Sequence, residues 1–384
     1  ITYLNHKPMK KINLFYFVAT VFVAFMLILA SCTKEGPAGP AGKDGTNGTN
    51  GVDGQDGADG TASCVECHDA DATLITPEFQ WARSMHNAGT ALSRSSSASC
   101  APCHSSQGFL LSDGNTLGMF EAVNNPTTIN CYTCHNIHKD YAPSDLSFTF
   151  PDQPEWHVTY GKAVDLDLEK GNLCAHCHQS REREPVVTDL NAMYSGISSH
   201  YGPHYSPQAN LTGGFGAYEL EGSINYGDGT HAHTSIENSC VKCHMGFSSA
   251  SGSGGHGMGI EHSDLEASCT PCHSNGSTAG AAYDTYYVAN FETIDHSVDP
   301  PVLNTTSLYT RLGDLLVEKG VYTKVVDEEN GVPVAVHYEI NGGLEINGTL
   351  TAALFNHRYL YQDHSHGMHN PGYARALLQN SLEA

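Results

Sequence analysis

Residues 240–244 read Cys-Val-Lys-Cys-His: two cysteines two residues apart, with a histidine directly after the second. The same frame begins at Cys64 (CVECH), Cys100 (CAPCH), Cys131 (CYTCH), Cys174 (CAHCH) and Cys269 (CTPCH), and the six frames hold twelve of the thirteen cysteines. A C-x-x-C pair alone suits a disulfide, a thioredoxin-like redox pair or half of a zinc site. The histidine separates these readings. Histidine is 23 of 384 residues, so chance would place one after all six pairs less than about once in ten million. Zinc does not need an adjacent imidazole every time. Covalent haem does: the two thiols bond the two vinyl groups, and the neighbouring imidazole reaches the iron from the proximal side. The frames predict six haem c groups with their iron. The thiols are those of Cys64, Cys67, Cys100, Cys103, Cys131, Cys134, Cys174, Cys177, Cys240, Cys243, Cys269 and Cys272. The proximal ligands are His68, His104, His135, His178, His244 and His273.

Only 40% of the chain is hydrophobic, a thin supply for an ordinary core of this length. Six porphyrins would add the missing apolar surface. The expected fold class is therefore mostly α and irregular: a haem-packed multihaem cytochrome c core with short helices over 63–280, and a small α+β region over 281–384 docking on it. The frames begin 36, 31, 43, 66 and 29 residues apart, which leaves no room for six one-haem domains. Neighbouring haems should lie nearly in contact.

The N-terminal stretch reads as a targeting segment. Lys10 and Lys11 precede an apolar run over 12–30 that closes on Leu29-Ala30-Ser31-Cys32, a charged region, a hydrophobic region and a lipobox. Residues 1–32 are expected to be a lipoprotein signal peptide with Met9 as its start, and Cys32 the thiol that takes a diacylglycerol. A retained anchor helix is the other reading, since the run is long enough to span a bilayer. Glycine then recurs at every third position from Gly36 to Gly60, the collagen period. With only two triplets carrying proline, 33–62 reads as a collagen-like Gly-x-y spacer rather than a stable trimer. Haem attachment to CxxCH also takes place after export, so compartment and cofactor agree.

A net charge of −23, to which haem propionates would add, excludes nucleic acid as a partner, because a phosphate backbone requires Lys and Arg. A basic protein, a metal ion or a mineral surface is compatible, as is an acidic surface that only keeps an exported protein soluble.

What fills the sixth position of each iron separates a wire from an enzyme. A second histidine leaves nothing to displace; an open position admits substrate. Seventeen histidines remain beyond the proximal six. His86 follows Trp81 in "WARSMH", His138 lies three residues after His135, His200 and His204 flank Tyr-Gly-Pro, and His231 and His233 precede the fifth frame. His256 sits in "GSGGHGMG" and His369 in "GMHNPGY". Met85, Met258 and Met368 stand beside these candidates as competing ligands.

Over roughly residues 64–384 the chain resembles multihaem c-type cytochromes of Gram-negative bacteria exported as lipoproteins. The resemblance rests on "GNLCAHCHQSR" around Cys174, "HYGPHYSPQAN" at 200–210, "ENSCVKCHM" at 237–245 and "DHSHGMHNPGYARALL" at 363–378. It implies distal ligands at the histidines of S-x-H, CHxxH, GPH, H-x-H-T, GGH and HNP, which are His86, His138, His204, His233, His256 and His369. The chain has no CxxCK frame, the site of the lysine-ligated haem in pentahaem nitrite reductases.

Beyond His273 there is no cysteine. Leu308, Leu312, Leu315 and Leu316 at helical spacing predict a helix over 306–319, stopped at Gly320. Runs at 321–326 and 332–340 flank Asn330-Gly331, a hairpin signal. A further helix is expected over 350–361. Asn370-Pro371 reads as N-cap and first position of a last helix, with Tyr373, Ala374, Leu377 and Leu378 inward.

The expected function is electron transfer along six mostly bis-His haems in an exported protein, lipid-anchored to the outer membrane at its periplasmic face or the cell surface. Its partners would be redox proteins or extracellular or periplasmic electron acceptors, and an oligomer is open. No substrate chemistry of its own is required. The rivals are a nitrogen-oxide or hydroxylamine oxidoreductase with one open haem, and a subunit of a conductive filament.

Overall fold

The computed structural model of the chain describes residues 67–68, 74–117, 120–161, 165–181, 184–227, 231–246, 255–260, 269, 272–273 and 279–384. The signal segment, Cys32, the glycine triplets and Cys64 lie outside the described residues.

Up to residue 246 the described helices are short. They are α1 (Ile75–Arg83), α2 (Met85–Ala88), α3 (Ala101–His104), α4 (Ser106–Leu111), α5 (Cys131–Cys134), α6 (Asn172–Ala175), α7 (Gln208–Gly213) and α8 (Ser239–His244), with strand β1 (Met193–Ser195) between α6 and α7. The cysteine frames themselves account for much of this. In four of them the histidine N–H donates to the carbonyl of the first cysteine: His104 to Cys100 at 3.1 Å, and His135 to Cys131, His178 to Cys174 and His273 to Cys269 at 2.9 Å. One helical turn puts residues i and i+3 on one face, so both thiols of a frame point the same way. Local capping fixes where such turns begin. The Asn130 side chain accepts from the Tyr132 N–H at 3.1 Å, and Thr133 Oγ1 accepts from the Asn130 N–H at 3.0 Å, a capping box at the head of α5.

The C-terminal part is built differently: α9 (Ala279–Asn290), β2 (Ile294–Asp295), β3 (Val302–Leu303), α10 (Leu308–Glu318), β4 (Tyr322–Glu329), β5 (Val332–Ile340), β6 (Glu345–Asn347), α11 (Gly348–Asp363) and α12 (Pro371–Glu383). β4 and β5 pair antiparallel from Tyr322–Ile340 to Glu329–Val332. Asn330 and Gly331 between them both have positive φ, 55° and 79°, the two-residue turn whose twist matches a hairpin. α10 starts two residues later than the spacing predicts, at Leu308, because Ser307 supplies the cap, accepting from the Thr310 N–H. Asn370 caps α12 through the Tyr373 N–H, and Tyr373, Ala374, Leu377 and Leu378 are all buried, as the spacing predicts.

One apolar core joins these helices to earlier residues. Leu312, Leu316, Leu354, Phe355, Tyr359 and Leu377 pack with Tyr160, Tyr201, Leu211 and Leu220, and β1 pairs antiparallel with β6. α11 runs through its middle and is buried on nearly every face, as an element surrounded by protein must be. Its Asn356 is fully satisfied: it accepts from the Tyr218 N–H at 2.9 Å and donates to the Tyr218 carbonyl at 2.8 Å and to Ser381 Oγ at 3.0 Å. By contrast, residues 74–150 contribute few buried apolar side chains, chiefly Ala101, Phe109 and Val123. Among the described residues no helix is long and apolar enough to cross a membrane.

His357, also on α11, is 1% exposed, stacked on Tyr309 at a centroid distance of 4.0 Å, with the Tyr322 hydroxyl donating to its Nδ1 at 3.1 Å. Burial, then the nearby Arg358 charge, pushes its pKa down to about 3. Between that value and the ordinary value near 6.5, the unfolded chain binds a proton that the folded one refuses. Stability is therefore complete above about pH 6.5 and is lost as pH falls, by up to about 1.4 kcal/mol per pH unit from this group. Denaturation midpoints measured at pH 7.5 and 5.5 should show the fall, and His357→Gln should flatten it. An equal fall in the variant would remove His357 as the cause.

Candidate haem sites

Each proximal histidine of the six frames faces a second imidazole. His68 lies 6.1 Å from His138 between ring centroids, His104 6.4 Å from His204, and His135 6.3 Å from His256. His178 lies 6.1 Å from His86, His244 6.1 Å from His369, and His273 6.3 Å from His233. The facing residues are the six candidates named from the sequence. An imidazole nitrogen lies about 2.0 Å from a metal it ligates and about 1.1 Å from its own ring centre, so two imidazoles across one metal ion have centres about 6.2 Å apart. The observed spacings fit an iron between each pair. Pairs, rather than larger clusters, are what the fold supplies: among the described residues no group of three or more His, Cys, Asp or Glu side chains is placed to hold a metal ion.

The elements that carry the facing rings come from the whole chain. α2 presents His86; the turn after α5 presents His138, at a positive φ of 60°. His204 also has positive φ, 69°, in the Gly202-Pro203-His204 turn before α7. His256 sits in a 3₁₀ turn (Gly255–Gly257). His369 ends the loop between α11 and α12, where Gly367 at φ 77° makes the bend; a Cβ there would meet Tyr286 Oη at 2.7 Å and Ala374 Cβ at 2.8 Å, so no other residue fits.

Acceptors behind the rings hold them. His135 Nδ1 lies 2.6 Å from the Leu146 carbonyl, His244 Nδ1 3.0 Å from the Met258 carbonyl, and His233 Nδ1 2.7 Å from the Met368 carbonyl. His178 Nδ1 lies 3.4 Å from Gln208 Oε1, His86 Nδ1 2.8 Å from Met258 Sδ, and His369 Nδ1 2.6 Å from Asp363 Oδ1. An Nδ1 so engaged leaves Nε2 as the nitrogen that could ligate a metal and fixes the ring's orientation. Met258 and Met368, competing ligands by sequence, thus stand behind rings rather than opposite a proximal histidine; Met85 is exposed.

Electrostatics favour the neutral form, the one able to ligate, in five of the twelve rings. Burial first, then His178, pushes His86 down to about 4. Burial likewise lowers His104, His178, His244 and His256. His369 goes the other way. Burial pulls its pKa down, but the Asp363 charge and hydrogen bond outweigh it and hold the pKa above the ordinary histidine value.

Thiol contacts order the frames. Cys177 lies close to Cys103, Cys174 lies close to Cys240, whose Sγ is 3.9 Å from the Gly171 carbonyl, and Cys134 lies close to both Cys174 and Cys177. Cys243 is close to Cys269 and Cys272. The fourth frame therefore meets the second, third and fifth, the fifth meets the sixth, and His138 links the third frame's turn to His68 of the first. Arg181 donates to Cys103 Sγ at 2.7 Å where the second and fourth frames meet.

Asp363 is the functional residue that the sequence reading missed. Its only trace there is an acid six positions before His369. Of the remaining histidines, His200 is exposed, His231 meets His233 edge to face at 5.0 Å, and His366 packs against Tyr287 at 4.9 Å.

Six CxxCH frames and six facing histidine pairs are the features of one class of protein, the multihaem c-type cytochromes. More particularly, residues 38–145 match the family of outer membrane cytochromes described as MtrC/MtrF-like, domains II/IV. The chain is also similar to the solved structure of the outer cell wall cytochrome OcwA, at 17% identity and a TM-score of 0.47, over 80% of this chain and 50% of that one. It spans about half the length of that structure. No curated protein matches it.

Proposed function

We propose that the chain is an exported electron carrier that holds six haem c groups, each between two histidines. The observation that supports this most is the spacing of all six proximal-to-distal ring pairs, 6.1–6.4 Å. Bound haem iron supplies one-electron cycling between ferric and ferrous states. The protein's own groups do the rest. Each cysteine pair would anchor a macrocycle covalently, and in the second to fifth frames one helical turn presents both thiols. The imidazoles on both sides leave no position for a substrate to displace, which favours electron transfer over chemistry at an open iron. The Nδ1 acceptors keep rings from turning between oxidation states, and neighbouring frames touch, so no long gap separates one site from the next.

The place of action follows from the sequence and the family match. An outer membrane cytochrome family covers residues 38–145, and Cys32, as an acylated residue, would tether the protein through the 33–62 spacer. External electron acceptors or redox proteins are the fitting partners.

The intact mass of the purified protein should exceed that of its chain by six haems. Its low-temperature EPR spectrum should contain low-spin ferric signals with no major high-spin component. Five haems or fewer, or a high-spin fraction of about one-sixth or more, would refute the bis-His assignment of every frame.

A further inference from the structure

Among the axial rings with a located Nδ1 partner, five meet neutral acceptors. These are the carbonyls of Leu146, Met258 and Met368, the Gln208 amide and the Met258 thioether. His369 alone among these rings meets a carboxylate. Asp363 is the last residue of α11, its side chain is completely buried, and His369 Nδ1 donates to its Oδ1 at 2.6 Å. The other oxygen, Oδ2, accepts from the Ser365 N–H at 3.0 Å and from the Ser365 hydroxyl. The backbone carbonyl of Asp363 is held by Gln208 Nε2 at 3.2 Å, and Gln208 also reaches His178. The carboxylate is thus fixed on rigid protein, with no freedom to swing away from the ring.

A buried carboxylate behind an imidazole draws its N–H proton and makes the opposite nitrogen a stronger donor. A stronger donor favours the ferric over the ferrous state, because the extra electron density stabilises the higher charge on iron. Behind His86, which faces His178 in the adjacent fourth frame, stands only a thioether, one of the weakest acceptors available. The fourth and fifth frames adjoin: Cys240 Sγ is 3.9 Å from the Gly171 carbonyl, three residues before Cys174, and the Asn238 N–H donates to Glu169 Oε2 at 2.8 Å.

We propose that Asp363 is a positioning residue that makes the His244–His369 site a stronger donor than the neighbouring His178–His86 site, and so sets a downhill potential step from the fifth frame to the fourth. This rests on the bis-His reading above. The test is a spectroelectrochemical titration, with EPR and intact mass, of the full haem-loaded protein carrying Asp363→Asn, Asp363→Glu or Ser365→Ala. In Asp363→Asn, one of six couples should shift to higher potential, five should stay in place, and one low-spin EPR signal should move. Asp363→Glu should return that couple toward its original position. Ser365→Ala removes a donor that competes for the carboxylate, so the same couple should shift to lower potential. A merely structural role predicts no such reversal of sign. If Asp363→Asn fails to assemble, Ser365→Ala decides alone. A six-haem protein whose titration is unmoved in either variant, or whose couples all drift together, overturns the proposal. If the unmodified protein lacks six low-spin haems, the bis-His reading fails instead.

Discussion

Replacing Cys174 and Cys177 together by alanine is expected to remove one haem by mass and to divide the remaining five into groups that no longer exchange electrons quickly. The fourth frame lies beside three others: Arg181, three residues after His178, donates to Cys103 Sγ at 2.7 Å, Cys240 Sγ is 3.9 Å from the Gly171 carbonyl, and Cys134 lies close to Cys174 and Cys177. Without a haem there, the first, second and third frames lose their contact with the fifth and sixth. After a flash that injects a single electron, redistribution among the remaining haems should slow by at least about a hundredfold, equivalent to about 2.7 kcal/mol of added barrier. The matching control is Cys269→Ala with Cys272→Ala. That frame lies close to the fifth through Cys243 and is the last in the chain, so its loss should cost one haem and leave exchange among the others nearly unchanged. If the two double variants slow exchange equally, the fourth frame is not a junction. Dithionite should still reduce all five haems in either variant, because equilibrium reduction does not depend on the route.

What the sequence disclosed and what it withheld divide along physical lines. A CxxCH frame is a local object whose five residues make one turn whatever surrounds them, so the thiols and proximal histidines are legible. Asn370-Pro371, the Asn330-Gly331 turn and the leucine stripe at 308–316 are legible for the same reason, since caps, turns and periodicity act within a few residues. The six facing histidines stood among eight candidates read from local sequence and were singled out only through family resemblance, because His244 and His369 are joined by tertiary packing and no periodicity links positions so far apart. Asp363 was invisible because nothing in "QDHSHGMH" says that the chain folds back so that the acid meets the third histidine after it. The meeting of the fourth frame with the second, third and fifth was equally hidden. It depends on how chain segments of different length return to one place. The shared core of 160–220 with α10, α11 and α12 arises in the same way, from Tyr160, Tyr201 and Leu220 packing on Phe355 and Leu377.

His369→Ala is expected to leave five haems untouched and to turn the sixth high-spin. His369 stands 6.1 Å from His244 and donates to Asp363. Removing the ring therefore takes a ligand from one iron and at once leaves a buried carboxylate without its imidazole donor, a cost of about 1–3 kcal/mol beyond the ligand bond. The nearby histidines are poorly placed to replace it. His357 is 1% exposed and clasped between Tyr309 and Tyr322, and His366 packs on Tyr287 and Phe291. Met368 is the neighbour in the chain with a suitable atom, and methionine ligation would raise the potential of that site. EPR should thus show one high-spin signal or one altered low-spin signal, and carbon monoxide should bind about one haem in six where it bound none. The loop over 364–370 should loosen too, which hydrogen exchange at the start of α12 would report. This outcome differs in kind from that of Asp363→Asn, where both ligands stay and only a potential moves. An unchanged EPR spectrum and titration in His369→Ala would remove His369 as a ligand, and with it the site on which the carboxylate could act.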